Sequence, residues 1–220
     1  MKLSKETITL LKNYAGINGN LLIKAGNRLG TVSTQKNVMA TSTIAETFDA
    51  DFGIYDLNEF LGAMSLFEDP DLEFTEKFVK ISSGKSSIKY FAAEPSVLVV
   101  PNKDSLPVEA AVEFTLTADQ LNMILKTASV LRATDVSIVG ADGLITVNVG
   151  DKKNPSANSY SFEIGEDSRN YAVHLRVENL KMLPADYKVS VSTKRISKFE
   201  AVKGDLTYYV AVESDSSIDL

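Results

Sequence analysis

Few of the residue groups in this 220-residue chain could do chemistry, and most of those lack the surroundings to do it. Gly84, Lys85, Ser86 and Ser87 supply the Gly-Lys-Ser of a phosphate loop, but the upstream glycines and the following helix that would cradle a phosphate are missing. Asp49 and Asp51 could begin a metal-carboxylate site; they stand two apart between strands, without a third convergent carboxylate or a base, so a turn is the plainer reading. The single histidine, His174, sits in the alternating strand pattern YAVHLRV, and no serine lies in a nucleophile-elbow pattern. With no cysteine there is neither a disulfide framework nor a thiolate metal site, and no metal or cofactor is expected. What remains is the attraction of bases to a polyanion. In residues 117–132, TADQLNMILKTASVLR, Leu121, Ile124, Leu125 and Ala128 make an apolar stripe, while the opposite side carries Asn122, Lys126, Ser129 and Arg132, with no acid beyond the first turn. Such a helix packs on a sheet and turns its outer face either to water or to a polyanion.

The elements that would position these bases follow from pattern. Thr117 with Gln120 three residues on reads as a helix start. A first helix runs from about Lys5 to Ala15, capped by Ser4 with Leu3 as a staple; Ile8, Leu11 and Ala15 face inward, and Lys5 and Lys12, seven apart, share another face. LLIKAGNRLGTVS reads as a hairpin around Ala25, Gly26 and Asn27, followed by strands VMATSTIAETF and FGIY. A second helix begins at the cap Asp56 and packs Leu57, Phe60, Leu61 and Met64, with small Gly62, Ala63 and Ser65 suggesting close approach to another element. Strands LEFTE, KFVKIS and SSIKYFAA close the first half.

Residues 94–109, EPSVLVVPNKDSLPVE, carry three prolines and the apolar run Val97 to Val100, the mark of an extended connector held against a surface. Beyond it the pattern repeats: strand AVEFTL, the helix at 118–132, strands VSIVG, LITVNVG, SYSFEIG and YAVHLRV, a short helix over 178–183 stopped by Pro184, then DYKVSVS, ISKFEAV and LTYYVAVES before an acidic, mobile tail SDSSIDL. The expected domains are 1–93 and 110–220, joined by 94–109. Split after Glu109, the parts hold 11 bases against 14 acids and 12 against 15, so each carries −3 of the net −6, as a duplicated unit would. No apolar run approaches the roughly 20 residues of a membrane-spanning helix, and the chain reads as cytosolic.

The MKLSK start, FGIYDLNEFLG, the connector with VVPNK, TADQLNMILKTAS, LKMLPADYKV and the YYVAVE ending together resemble the DNA polymerase sliding clamps of large tailed bacteriophages, over essentially the whole length. The resemblance implies an α+β clamp fold of two similar domains, each with two helices packed on antiparallel sheets. It further implies a ring-forming homotrimer around double-stranded DNA, an ATP-dependent clamp loader, a tethered DNA polymerase, and a protein that is itself no enzyme and works in the host cell cytoplasm. Some relatives also couple to late viral transcription, so late transcription factors join the implied partners.

A ring that stays on DNA by topology needs only weak, sequence-blind attraction to phosphates, which favours scattered lysines over base-reading constellations. The candidates are Lys2, Lys5 and Lys12 on the first helix, Lys126 and Arg132 on the third, and Lys181 on the fourth; Glu59 makes the second helix an exception. In clamps resembling this chain the partner pocket lies near the connector and the closing strands of the second domain, which points to Val97, Leu98, Val99, Val100, Tyr208, Tyr209 and Val210, rimmed by Leu106 and Pro107. By the same resemblance the subunit interface joins the first domain's closing strands, near Phe74 and Phe78, to Tyr160, Phe162 and Ile164. The competing reading is a β-rich structural or interaction adaptor that uses the same repeated fold without DNA.

Overall fold

The computed structural model describes residues 1–154 and 156–218, which form two compact units, Met1–Ser105 and Leu106–Leu220.

In the first unit, α1 (Lys5–Ile17) starts at Ser4, whose side chain accepts the Thr7 amide. The buried residues are Thr7, Leu10, Leu11 and Tyr14, whereas Ile8 and Ala15, expected inside, are only half-buried. Thr7 is what turns the helix. Its hydroxyl donates to Glu46 Oε2 at 2.6 Å, and the Ser4 amide reaches the other oxygen of the same carboxylate, so the first turn is fastened to the neighbouring strand by a polar clasp that no apolar stripe announces. Burial alone would raise the Glu46 carboxyl; the bonds from Thr7 and Ser4 hold it below its ordinary value.

The expected hairpin at Ala25 to Asn27 does not form. β1 (Leu21–Ile23) pairs instead with β4 (Phe52–Ile54), and β2 (Gly26–Val32) with β3 (Val38–Phe48), all antiparallel. Gly26 at φ 110°, a conformation that glycine tolerates, and the bond from the Ala25 amide to Asp51 Oδ1 (2.8 Å) redirect the chain between β1 and β2. Asp51 thus serves a turn, as its sequence setting suggests. α2 (Leu57–Ser65) is capped by Asp56, which accepts from the Asn58 and Glu59 amides, and buries Leu57, Phe60 and Met64. β5 (Asp71–Phe74), β6 (Phe78–Ser83) and β7 (Ser86–Phe91) form an antiparallel meander; Gly84 and Lys85 make its second turn and lead into a strand, not into a phosphate-binding helix.

The connector packs on this unit up to Pro101. The Asn18 side-chain amide donates to the carbonyls of Val32 and Val99, each at 2.9 Å, and Leu98 is buried beside Gly53. A methyl group on Gly53 would lie 2.2 Å from the Ala93 carbonyl oxygen, so this contact requires glycine.

In the second unit β8 (Val112–Leu116) leads into α3 (Ala118–Leu131), whose Thr117 and Gln120 form a reciprocal capping box and whose C-cap, Arg132, is left-handed at φ 54°. β9 (Asp135–Ala141) and β10 (Leu144–Gly150) turn through Asp142 and Gly143, at φ 52° and 84°, as the two-residue hairpin demands. With β11 (Tyr160–Glu166) and β12 (Tyr171–Arg176) they form a sheet in the order β11-β10-β9-β12. β13 (Tyr187–Ser192), β14 (Ile196–Ala201) and β15 (Leu206–Ala211) continue the order β15-β14-β13-β8. Leu121 and Ile124 from α3 meet Val136, Ile138, Leu175 and Phe199 in the core.

Two expectations fail here. The helix over 178–183 is a single 3-10 turn, Val177–Asn179, without a side-chain cap; Asn179 is buried and Pro184 denies the continuation an amide donor. Nor is the carboxy-terminal segment mobile through residue 218. Ser217 exchanges both backbone bonds with Ala172, Ser216 Oγ accepts the His174 amide, and Ile218 is buried; Asp219 and Leu220 lie outside the described residues. Beside it Lys152 bonds Asp215 at 2.6 Å and lies 3.9 Å from buried Asp135, with Arg176 bridging Asp135 and Glu213. His174 is an ordinary strand histidine: Ser137 Oγ is 2.7 Å from its Nδ1, and burial, then the Lys152 charge, lowers its pKa.

Three substitutions test this packing. Gly53→Ala should cost about 2 kcal/mol or more through overpacking, while Gly62→Ala, in open space on α2, should gain about 1 kcal/mol; urea denaturation with both changes of one sign would refute the assignment. Glu46→Ala should cost about 1 kcal/mol at neutral pH. Because the folded Glu46 pKa is depressed, its contribution is present above the ordinary 4.5 and lost as pH falls through the folded value, so the difference from the parent should close in acid. A gap unchanged at acid pH would show that the clasp does not depend on the charge.

Candidate nucleic-acid interface and partner groove

On α1 the buried residues occupy one side and Lys5, Thr9, Lys12 and Gly16 align on the other, all but Gly16 polar and all exposed. On α3 the side opposite Leu121, Ile124 and Ala128 carries Asn122, Lys126 and the first-turn Asp119. It also exposes Met123 and Val130, the latter at 73%, which the sequence reading left out of the helix's outer face. Every acid borne by the three α-helices, Glu6, Glu59 and Asp119, lies in a first turn, where it complements the positive end of the helix dipole. Beyond the first turns the only charges on these helices are the bases Lys12 and Lys126, and Arg132 follows at the α3 cap.

Among the described residues Lys5, Lys12, Lys126 and Arg132 make no ion pair, nor do the loop and turn bases Lys36, Lys85, Lys103 and Lys203, whereas Lys24 pairs with Asp104, Lys188 with Glu113, Lys198 with Glu200 and Arg169 with Asp167. Two of the expected bases are placed differently. Lys2 precedes α1 and is ion-paired with Asp69, and Lys181 is exposed but stands on the extended segment after the 3-10 turn, since no helix forms there. α2 presents Asn58, Glu59 and Gly62 outward and no base.

The expected partner residues divide by burial. Val97 is 56% exposed, Val99 and Val100 are half-buried, Leu106 is half-buried and Pro107 exposed. Leu98 faces Gly53 inside the first unit. Tyr208, Tyr209 and Val210 are buried too, because β15 is covered on both faces where alternation in the sequence promised one open side. The Tyr208 hydroxyl accepts the Leu183 amide at 3.1 Å and its ring packs edge-on against Tyr187, so these closing-strand aromatics are core. What is open beside the connector is a shallow groove that Val100 and Pro101 share with Leu22 and Leu29, edged by Lys24, Arg28 and Asp104. Leu22 and Leu29 were unidentifiable as its floor in the sequence, because the strands that carry them do not pair as the hairpin pattern suggests.

Of the expected interface residues, Phe74 packs edge-on against Phe48 at 5.3 Å and Phe52 at 5.1 Å within its own unit, which leaves its ring half-buried. Phe78 stacks with Phe91 and lies under Lys89 Nζ, 4.7 Å from the ring centre; Phe91 is 67% exposed. β7, which carries Phe91, is the last strand of its three-stranded sheet. Tyr160, Phe162 and Ile164 stand on β11, likewise at the end of its sheet, with Tyr160 and Phe162 side by side.

Comparison with known proteins gives this geometry a family. Residues 4–100 match the DNA polymerase processivity factor family, and residues 113–214 match the gp45 sliding clamp, C terminal. The chain is 35% identical over 233 residues to the sliding clamp of Enterobacteria phage T4, covering 100% of both. It is 33% identical over 223 residues to the sliding clamp of Vibrio phage KVP40, covering 97% of this chain and 100% of that one. The PCNA of A. fulgidus, solved with the bound C-terminal region of FEN-1, matches at TM-score 0.72 over 98% of each chain with 13% identity; the Caulobacter crescentus pol III beta matches at 0.70, 15% identity, over 96% of this chain and 65% of that one. These distant structures establish the fold. With a clamp family matched in each half and phage relatives aligned along the full length, the chain belongs to the sliding clamps, the processivity factors of DNA polymerase.

Proposed function

We propose that this chain closes into a homotrimeric ring that encircles double-stranded DNA, without reading its sequence, and tethers the replicative DNA polymerase in the host cytoplasm. Each protomer contributes two clamp domains, residues 1–93 and 110–220 with the connector 94–109 between them. The protein performs no reaction itself; an ATP-dependent loader opens the ring. The observation that carries the DNA-facing part is the set of exposed bases without ion-pair partners among the described residues, Lys5, Lys12, Lys126 and Arg132, on the outer faces and end of helices in a protein of net charge −6. Phosphate contacts of this kind are weak singly and vanish with salt, which suits a ring that must move. The remaining surface acidity keeps the duplex off the outside. Lys2, paired with Asp69, is a poorer phosphate contact than the sequence alone suggested.

The polymerase is proposed to hold the connector groove, with Val97 and Val100 as contact residues and Leu22 and Leu29 beneath; late transcription factors would compete for the same groove. Ring closure is assigned to the free edges of β7 and β11, which could pair between copies and so satisfy both. Nothing specific favours the adaptor alternative.

Replacing Lys5, Lys12, Lys126 and Arg132 together by glutamate should leave fold and assembly intact while abolishing processive synthesis and retention on circular duplex after loading. Full retention in that variant would remove these residues from the DNA-facing set. Light scattering should give three times the 23.9 kDa chain mass at micromolar concentration, and a proline in place of Ser161 on β11 should reduce it; a trimer insensitive to that change would place the interface elsewhere.

A further inference from the structure

A second docking surface lies in the first unit, away from the connector groove. The segment 47–52 and β5, with residues through Glu76, enclose a groove of about 1020 Å³ including its open mouth. Its floor is aromatic: Phe48 and Phe52 are buried and clasp the half-buried Phe74 edge-on from two directions. Its rim is acidic. Asp49, Asp51, Glu73 and Glu76 are all exposed, and the one cation lining it, the Met1 ammonium, is held by the Leu72 carbonyl at 2.7 Å.

The side of β5 away from β6 is a strand edge. Leu72 exchanges both of its backbone bonds with Met1, so it points away from β6; Phe74, two residues on, must point its amide and carbonyl the same way. Among the described residues no hydrogen bond reaches that amide. The second unit shows what fits such an edge. There β13 is covered by an extended strand, β8, through five successive pairs from Val112 with Val191 to Leu116 with Tyr187, and β8 buries Val112 and Leu116 while exposing Glu113 and Thr115. In the first unit the equivalent cover reaches only Leu72.

We propose that this groove binds an extended, basic segment of a partner protein by strand addition to β5. Backbone bonds to Phe74 would continue the line begun by Met1, one or two apolar side chains would rest on the half-buried Phe74, which Phe48 and Phe52 hold from within, and the intervening lysines or arginines would meet Asp49, Asp51, Glu73 and Glu76. The proposal does not depend on the clamp assignment. Backbone pairing gives affinity without sequence, and the four carboxylates select the sign of the partner's charge.

The probe is a fluorescein-labelled peptide, Lys-Val-Lys-Phe-Lys-Val-Lys, titrated against the full chain by fluorescence polarisation, with hydrogen-deuterium exchange at Phe74 as the positional readout. The expected result is saturable binding that slows exchange at Phe74, weakens with salt, and is lost when the central amides are N-methylated or the lysines replaced by glutamate. E73K/E76K, two exposed side chains without hydrogen bonds in the structure, should weaken the peptide about tenfold and leave the circular dichroism spectrum unchanged. Equal binding of the glutamate peptide, an unaltered affinity in E73K/E76K, or unchanged exchange at Phe74 would each overturn the proposal. So would concentration-dependent protection of Phe74 without peptide, which would give the groove to a second copy of the chain.

Discussion

An antiparallel sheet ends on two strands whose outward amides and carbonyls have no strand to bond, and a native protein must cover, pair or blunt them. Much of this chain can be understood from how it meets that constraint. β13 is covered by β8 and β12 by the segment from Glu213 to Ile218, both from within the second unit. β5 is covered at Leu72 and open at Phe74. β7 and β11 are left open altogether on one side. An uncovered edge is a hazard in a monomer and a resource in an assembly; closure and docking are assigned to β5, β7 and β11, while β2 and β8 also end a sheet.

Charge is distributed by a second rule. Acids on the helices are confined to first turns, where the dipole favours them, and the bases beyond are left without partners. Elsewhere some bases sit beside a carboxylate, and Lys152 and Arg176 are packed together with Asp135, Glu213 and Asp215, which fixes the segment that carries the last two. A net charge of −6 therefore coexists with helix faces that are locally positive.

The helices were the most legible part of the sequence, because a cap and a 3.6-residue stripe are local signals: Ser4, Asp56 and Thr117 all act as caps. The meander of β5, β6 and β7 was legible for the same reason. What misled was non-local. Thr7 is buried by a carboxylate 39 residues away, β1 finds its partner beyond β3, and Glu178 to Leu183 form no α-helix because no side chain caps the turn. Lys5, Lys12 and Lys126 could be assigned to helices, but Lys2 and Lys181 stand outside them and no ion pair was legible, so Lys2 and Lys12 are alike in sequence and differ only by the Asp69 beside one of them. For the closing-strand residues expected at the partner pocket, burial was the illegible part. Tyr208 and Tyr209 lie on a strand buried on both faces, and no periodicity within a single strand reports what covers its second face.

The docked carboxy-terminal segment changes what can be attached to this protein. Since Ser216, Ser217 and Ile218 are fastened to β12, a label or polypeptide fused beyond them begins at a defined point on the second unit rather than at the end of a loose leash. Its reach is then set by the residues that follow Ile218, about 5–6 Å times the square root of their number for a flexible stretch. A dye placed there with a short tether would report the motion of the domain itself.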